Sequence, residues 1–337
     1  MTAAPAPTEP DETPVARLQA LVAPEMTAVN ALIRERMESE HAARIPEISA
    51  HLIEAGGKRL RPLLTLAAAK LAGYEGEAHV KLAAVVEFIH TATLLHDDVV
   101  DESRQRRGRQ TANILWDNKS SVLVGDFLFA RAFQLMVECD SLRILDILST
   151  ASAVIAEGEV LQLTTAHDLK TTQERYERVI GGKTAALFAA ATEVGGVVAG
   201  RPAADCEALR VYGEGLGMAF QLADDVLDYG GVAARLGKNT GDDFREGKVT
   251  LPVILAVARG DDAARAFWRR VIARGEQREG DLETAMAHLE ATGALADSLA
   301  AAQAHVDRAV AALERFPDGP IREVLADIAR YVTVRLH

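Results

Sequence analysis

A chain of 337 residues is long enough to bury a sizeable core, and a formal charge of -12 argues against nucleic acid or an anionic membrane surface as its main partner. Alanine and leucine are abundant while aromatic residues make up 5% of the chain, a balance that favours helix. The two cysteines, Cys139 and Cys206, lack metal-ligand spacing and read as ordinary thiols of a reducing compartment, so a cytoplasmic protein is expected.

Met1 to Pro14 is rich in Pro, Ala, Thr and acid, without the basic region or apolar run of a targeting peptide, and is expected to be a disordered tail. Residues 15–337 form the remaining domain. From Val15 onwards apolar residues recur at steps of three and four, which predicts an all-α fold with no convincing period-two strand. Glycine and proline predict breaks at Gly56-Gly57, Gly73 to Gly76, Gly108, Gly181-Gly182, Gly195-Gly196, Gly230-Gly231, Gly237 to Gly247, Gly293 and Phe316 to Pro320. No linker or fixed-period repeat divides the body, so one large helical domain is expected. Val80 to Val100 and Leu209 to Leu227 are apolar on nearly every side and belong in the centre, whereas Leu282 to Val334 is amphipathic and should wrap it. No uninterrupted apolar stretch reaches membrane-spanning length; the nearest, Ala185 to Gly200, carries Thr192, Glu193 and paired glycines.

Gly56-Gly57-Lys58-Arg59-Leu60-Arg61-Pro62 joins two glycines to three cations at the start of a helix, a combination that suits an anion. Leu94-Leu95-His96-Asp97-Asp98-Val99-Val100-Asp101 then sets three aspartates in an apolar helix, with Asp97 and Asp101 one turn apart on a shared face. Arg104, Arg106, Arg107 and Arg109 follow directly. A second acidic copy, Gln221-Leu222-Ala223-Asp224-Asp225-Val226-Leu227-Asp228, lies far along the chain. One such motif alone is compatible with a solvated acidic face or a helix cap. Two are not easily explained that way, because Asp is a poor helix former, like charges one turn apart repel, and apolar neighbours limit hydration. Clustered carboxylates without His or Cys suit a hard ion, and sites with few carboxylates that leave room for water and phosphate oxygens fit Mg²⁺. An acidic chain holding an anionic substrate needs such metals together with a local basic patch.

GGKRLRP, two DDxxD motifs, a Lys-Thr pair, the Gln before the second motif and GDDFREGK together make the chain resemble the trans-isoprenyl diphosphate synthases, within them the long-chain polyprenyl type, over nearly its whole length. The resemblance implies an all-α bundle around a central cavity, the isoprenoid synthase fold. It implies an all-trans polyprenyl diphosphate synthase that adds isopentenyl diphosphate to farnesyl or geranyl diphosphate, with an octaprenyl product the best guess, nona- or decaprenyl also open, and quinone side chains a plausible use. Asp97, Asp98, Asp101, Asp224, Asp225 and Asp228 look like ligands of Mg²⁺ on the allylic diphosphate, with Arg106 a contact to the same group. Lys58, Arg61, His90 and Arg107 are similar to the isopentenyl diphosphate site. Lys183, Thr184 and Gln221 match positions lining the reacting allylic end, and Lys238 and Lys248 match lysines that reach the diphosphate as the site closes. A lone His on an apolar helix is more often a core residue, so His90 rests on resemblance. Short-chain members carry a bulky aromatic four or five positions before the first motif; here Thr93 and Ala92 are small, which implies a deep tunnel. Phe133 and Met136 are candidate floor residues, although plain core packing is the commoner role of such residues. A homodimer, using a helix such as Ser121 to Val137, and transient membrane contact for product release complete the expectations.

Three other readings are open to test. Glu38-x-x-His41 and Glu87-x-x-His90 match the pairs of di-iron bundles, but the first lies in a very polar stretch and both aspartate motifs would go unexplained. A terpene cyclase generally carries a dissimilar second metal site, and a silent partner subunit would not need intact aspartates in both motifs.

Overall fold

The helical period translates directly into architecture in the computed structural model, which describes residues 13–54, 57–106, 108–230 and 241–334. Gly56, Arg107, Lys238 and the first twelve residues lie outside the described residues. Helices α1 (Pro14–Leu21), α2 (Ala23–Met37) and α3 (Arg44–Glu54) form the outer N-terminal layer. Behind them lie α4 (Leu60–Leu71) and α5 (Ala78–Val100), the latter buried along most of its length from Leu82 to Leu95. Next come the very short α6 (Ala112–Leu115), then α7 (Asn118–Val137) and α8 (Leu142–Leu163), an antiparallel pair. Asp117 and Ser141 cap the two long helices by accepting the amides of Ser120 and Ile144.

After α9 (Gln173–Ile180), α10 (Ala186–Val198) and the long α11 (Ala203–Tyr229) complete the centre. The C-terminal part contains α12 (Asp242–Arg245), α13 (Leu251–Arg259), α14 (Asp262–Trp268), α15 (Asp281–Ala291), α16 (Ala294–Leu313) and α17 (Pro320–Val334). The amphipathic α16 and α17 lie against α11, as their patterning predicts. One apolar core runs through α1, α2, α4, α5, α7, α10 and α11, and a second joins Tyr229, Phe244, Trp268, Ile272 and Leu289.

Two predicted helix breaks are absent. Gly195 and Gly196 sit inside α10, where a β-carbon on Gly195 would come within 2.7 Å of Ala68 Cβ; glycine here lets α10 press against α4. Gly181-Gly182 opens a π-helical turn, Gly181–Ala185, which carries α9 into α10 without interruption. A minimal antiparallel hairpin, Gln105–Arg106 with Arg109–Gln110, turns at Gly108, and its two-residue strands are too short for a period-two signal.

By length and composition α5 and α7 would both pass for membrane spans, although charged residues such as Glu87 in α5 and Asp126 in α7 interrupt their apolar runs. Core packing explains α5. On α7, Val122, Leu123, Phe133 and Val137 are exposed. Phe133 is therefore no floor to an internal tunnel, while Met136 is fully buried in the main core.

Candidate active site

The last turn of α5, the π turn, the last two turns of α11 and the segment from Asp243 to Thr250 line one cavity of about 390 Å³. Asp101 reaches it from the first acidic motif and Asp225 from the second, with Lys183, Thr184, Gln221 and Lys248 in the same wall. The two motifs thus meet across a common space. The π turn places Lys183 there: α8 passes so closely that a β-carbon on Gly158 would lie 2.7 Å from the Lys183 amide nitrogen. Lys183 Nζ donates to Glu159 at 2.8 Å.

The six aspartates are not equivalent. Asp98 is 0% exposed and accepts from Arg106 Nε at 2.9 Å and Nη2 at 2.8 Å. Asp225, 3% exposed, accepts Tyr176 Oη at 2.6 Å on one oxygen and Gln221 Nε2 at 2.8 Å on the other. Thr184 Oγ1 donates to Gln221 Oε1 at 3.0 Å, so one chain of hydrogen bonds runs from the π turn through α11 to α9. Asp228 accepts the amides of Asp242 and Asp243 at 3.1 and 3.0 Å and so anchors α12. Asp97 and Asp224 are half-buried and Asp101 is exposed.

Arg61 Nη1 lies 3.2 Å from His90 Nε2, which requires His90 to accept there, and the guanidinium stacks 4.4 Å over the Phe188 ring. Phe188 in turn packs against Phe220, the neighbour of Gln221, while neither Arg61 nor His90 is among the residues lining the cavity. Arg59 is bound to Glu87 at 2.7 Å, and Lys58 is exposed on the preceding loop. Glu38 and His41 are both exposed and Glu87 is held by Arg59, which leaves no inward pair of Glu-x-x-His ligands at these positions.

The sequence matches the family described as polyprenyl synthetase over residues 42–289. This chain belongs to the polyprenyl synthetase family. It is 46% identical over 319 residues to the octaprenyl diphosphate synthase of Escherichia coli (strain K12), covering 95% of this chain and 98% of that one. It is similar to the structure of a decaprenyl diphosphate synthase from Rhodobacter capsulatus, with a TM-score of 0.94 and 65% identity over 96% of this chain and 99% of that one. A polyprenyl synthase from Caulobacter crescentus CB15 complexed with calcium and isoprenyl diphosphate gives a TM-score of 0.90 and 55% identity over 96% and 98% of the two chains. This polyprenyl synthetase is accordingly a prenyltransferase with the isoprenoid synthase helical fold.

Electrostatics fits this polyprenyl synthetase to a divalent cation. Burial pushes Asp97 up to about 7, with Glu159 and Asp101 adding to the effect and Lys183 and Arg106 opposing it. Burial likewise raises Asp243 to about 6 despite Lys248, and Asp225 rises well above the carboxylate range through burial and the nearby Asp243. Burial pulls the Lys248 ammonium down, but Asp243 and Glu246 outweigh it and hold it above its ordinary range. These all-oxygen donors suit a hard ion. Among the described residues no three acidic, His or Cys side chains form a ready metal cage. Mg²⁺ needs none, since it keeps waters and takes one or two carboxylates plus substrate phosphates.

Glu159, Tyr176 and Asp243 belong to the site although sequence reasoning did not single them out. Asp243 stands within GDDFREGK and Glu159 interrupts an apolar helix, so both carried a signal; Tyr176, on a surface-patterned helix, carried none.

Asp97 also sets a pH dependence. An aspartate released on unfolding titrates near 3.9, whereas folded Asp97 titrates at about 7. Between those values the folded state keeps a proton that the unfolded state has lost, so this group's contribution to stability falls as pH rises from about 4 to 7. In chelator, Asp97→Asn should therefore gain more melting temperature over wild type at pH 8 than at pH 5. Equal gains at both pH values would contradict the assignment.

Proposed function

We propose that the chain is an Mg²⁺-dependent all-trans polyprenyl diphosphate synthase that adds isopentenyl diphosphate to farnesyl or geranyl diphosphate. An octaprenyl product is favoured, since the similar proteins make octaprenyl and decaprenyl diphosphates. The observation that carries this reading is the convergence of Asp101 and Asp225, from motifs more than a hundred residues apart in the chain, on one cavity with Lys183 and Lys248. Asp97 and Asp101 on one side, and Asp224 with Asp243 on the other, are the acids proposed to hold the ions. Asp98, Asp225 and Asp228 brace them through Arg106, through Tyr176 and Gln221, and through the amides of residues 242 and 243. When bound, Mg²⁺ supplies Lewis-acid neutralisation of the departing diphosphate.

Lys183, Lys248 and Arg106, joined by Lys238, meet the charge that gathers on that leaving group. Thr184 and Gln221 offer oxygen dipoles to the allylic cation without presenting an activated nucleophile. Lys58, Arg61, His90 and Arg107 hold isopentenyl diphosphate beside it, so that its double bond attacks and a proton passes to the released diphosphate. Ala92 is fully buried in the core while Thr93, next to it on α5, is half-buried, and the growing tail is proposed to pass Thr93. A cytoplasmic homodimer is the proposed state, supported by the exposed apolar residues of α7, of which Leu123 is 65% exposed. Product release would occur through transient membrane contact.

Incubation with farnesyl diphosphate, labelled isopentenyl diphosphate and Mg²⁺ should yield label in long prenyl chains, dominated by the octaprenyl product, and chelator should abolish it. Purified chain that incorporates no label at saturating Mg²⁺ would overturn the reading.

A further inference from the structure

The turn after α8 holds a histidine in an uncommon backbone conformation. His167 has φ +61°, a left-handed geometry that side chains with a β-carbon disfavour. Two bonds hold it there. Its ring Nδ1 donates to the Ile272 carbonyl at 2.7 Å, and its amide donates to the Gly247 carbonyl at 3.1 Å. The ring occupies the space a side chain at 247 would need, since a β-carbon on Gly247 would stand 2.1 Å from His167 Cε1. Gly247 is itself left-handed, with φ +67°.

Each partner of this contact belongs to a cavity wall or to the structure behind it. Thr165 and Ala166, just before His167, line one side, and Lys248, just after Gly247, lines the other. Ile272 is fully buried in the second apolar core with Phe244, whose carbonyl accepts from Gln277 Nε2 at 2.7 Å. The Lys248 amide donates back to the Asp243 carbonyl at 2.9 Å. The segment from Asp243 to Lys248 is thus pinned at Phe244 by Gln277 and at Gly247 by His167.

We propose that His167 is the positioning residue for Lys248, a latch that fixes the peptide before this lysine so that its ammonium stays in the cavity wall. It acts through Lys248 and touches no substrate. The proposal rests on the reading that the cavity holds a diphosphate. The ring cradle at Gly247 makes the latch specific, because a side chain at 247 and the imidazole at 167 exclude each other.

The test is a double-mutant cycle on the affinity for inorganic diphosphate in Mg²⁺ buffer, measured by titration calorimetry on the full chain. His167→Ala should weaken binding about five- to tenfold, the scale of one lost net hydrogen bond. In the Lys248→Ala background the same change should have almost no effect, because no ammonium remains to be positioned. His167→Asn tolerates the left-handed backbone and takes the place of the alanine variant in the cycle if that variant does not fold. Equal weakening in both backgrounds, or wild-type affinity in His167→Ala, overturns the latch alone. Wild-type chain that does not bind diphosphate in Mg²⁺ overturns the diphosphate reading, and the latch falls with it.

Discussion

Asp97→Ala should lower the rate of chain elongation by at least about a thousandfold while leaving the metal-free protein folded and more stable at neutral pH. The stability half follows from burial and the neighbouring Glu159 and Asp101, which raise Asp97 to about 7, and the rate half from its proposed place as an ion ligand. A carboxyl that resists ionisation is a liability to the ligand-free fold and becomes an asset only when a cation lies beside it. Removing it therefore takes away an electrostatic cost of folding together with a proposed ion ligand. The pairing separates a ligand role from a structural one, since a residue needed for packing would lose stability on truncation. Single-turnover rates at saturating Mg²⁺, alongside thermal melts in chelator, measure the two effects. Near-normal turnover, or a variant less stable than wild type at pH 8, would contradict the assignment.

The parts of this site that were readable from sequence are those whose chemistry demands rare residues in an improbable setting. Aspartates within apolar helices, and basic strings in an acidic chain, stand out because desolvated charge needs a partner. Helical periodicity then placed Asp97 and Asp101 on one face, and both the all-α class and the central position of α5 and α11 followed from the apolar pattern. What periodicity could not reveal was which oxygen atoms are already engaged. Asp98, Asp225 and Asp228 look like their neighbours in sequence, yet Arg106 engages Oδ1 of Asp98, Tyr176 and Gln221 engage the two oxygens of Asp225, and two backbone amides of α12 engage Asp228, partners drawn from a hairpin and from separate helices. The glycine pairs were misread for a related reason. A glycine signals freedom to break a helix, but at Gly195 and Gly182 its missing β-carbon lets two elements touch, a property that depends on the neighbour across the interface. Length and apolarity likewise fail to separate a buried core helix such as α5 from a membrane span.

Thr93→Phe should cut product length by at least about half while keeping the first condensation within about threefold of wild type. Thr93 lies on α5 four residues before Asp97, a rise of about 6 Å from the proposed diphosphate site. It is half-buried, and its hydroxyl is turned back onto its own helix at the His90 carbonyl, 2.8 Å away, so the side chain takes up little space. The far end of the same helix, at Ala78, is about 28 Å from Asp97, so a ring at position 93 would leave roughly a fifth of that path for a growing chain. Ala92 is a poorer place for the same block. It is 0% exposed within the main core, and an aromatic ring there would overpack α5 at a cost in stability before it shortened any product. The two positions therefore separate a tunnel effect from a folding effect. Thr93→Phe should melt within a few degrees of wild type and give short products, whereas Ala92→Tyr should lose stability as well as length. Product sizing by reversed-phase chromatography, with melts of both variants, reads the difference, and full-length product from a well-folded Thr93→Phe would remove α5 from the tunnel wall.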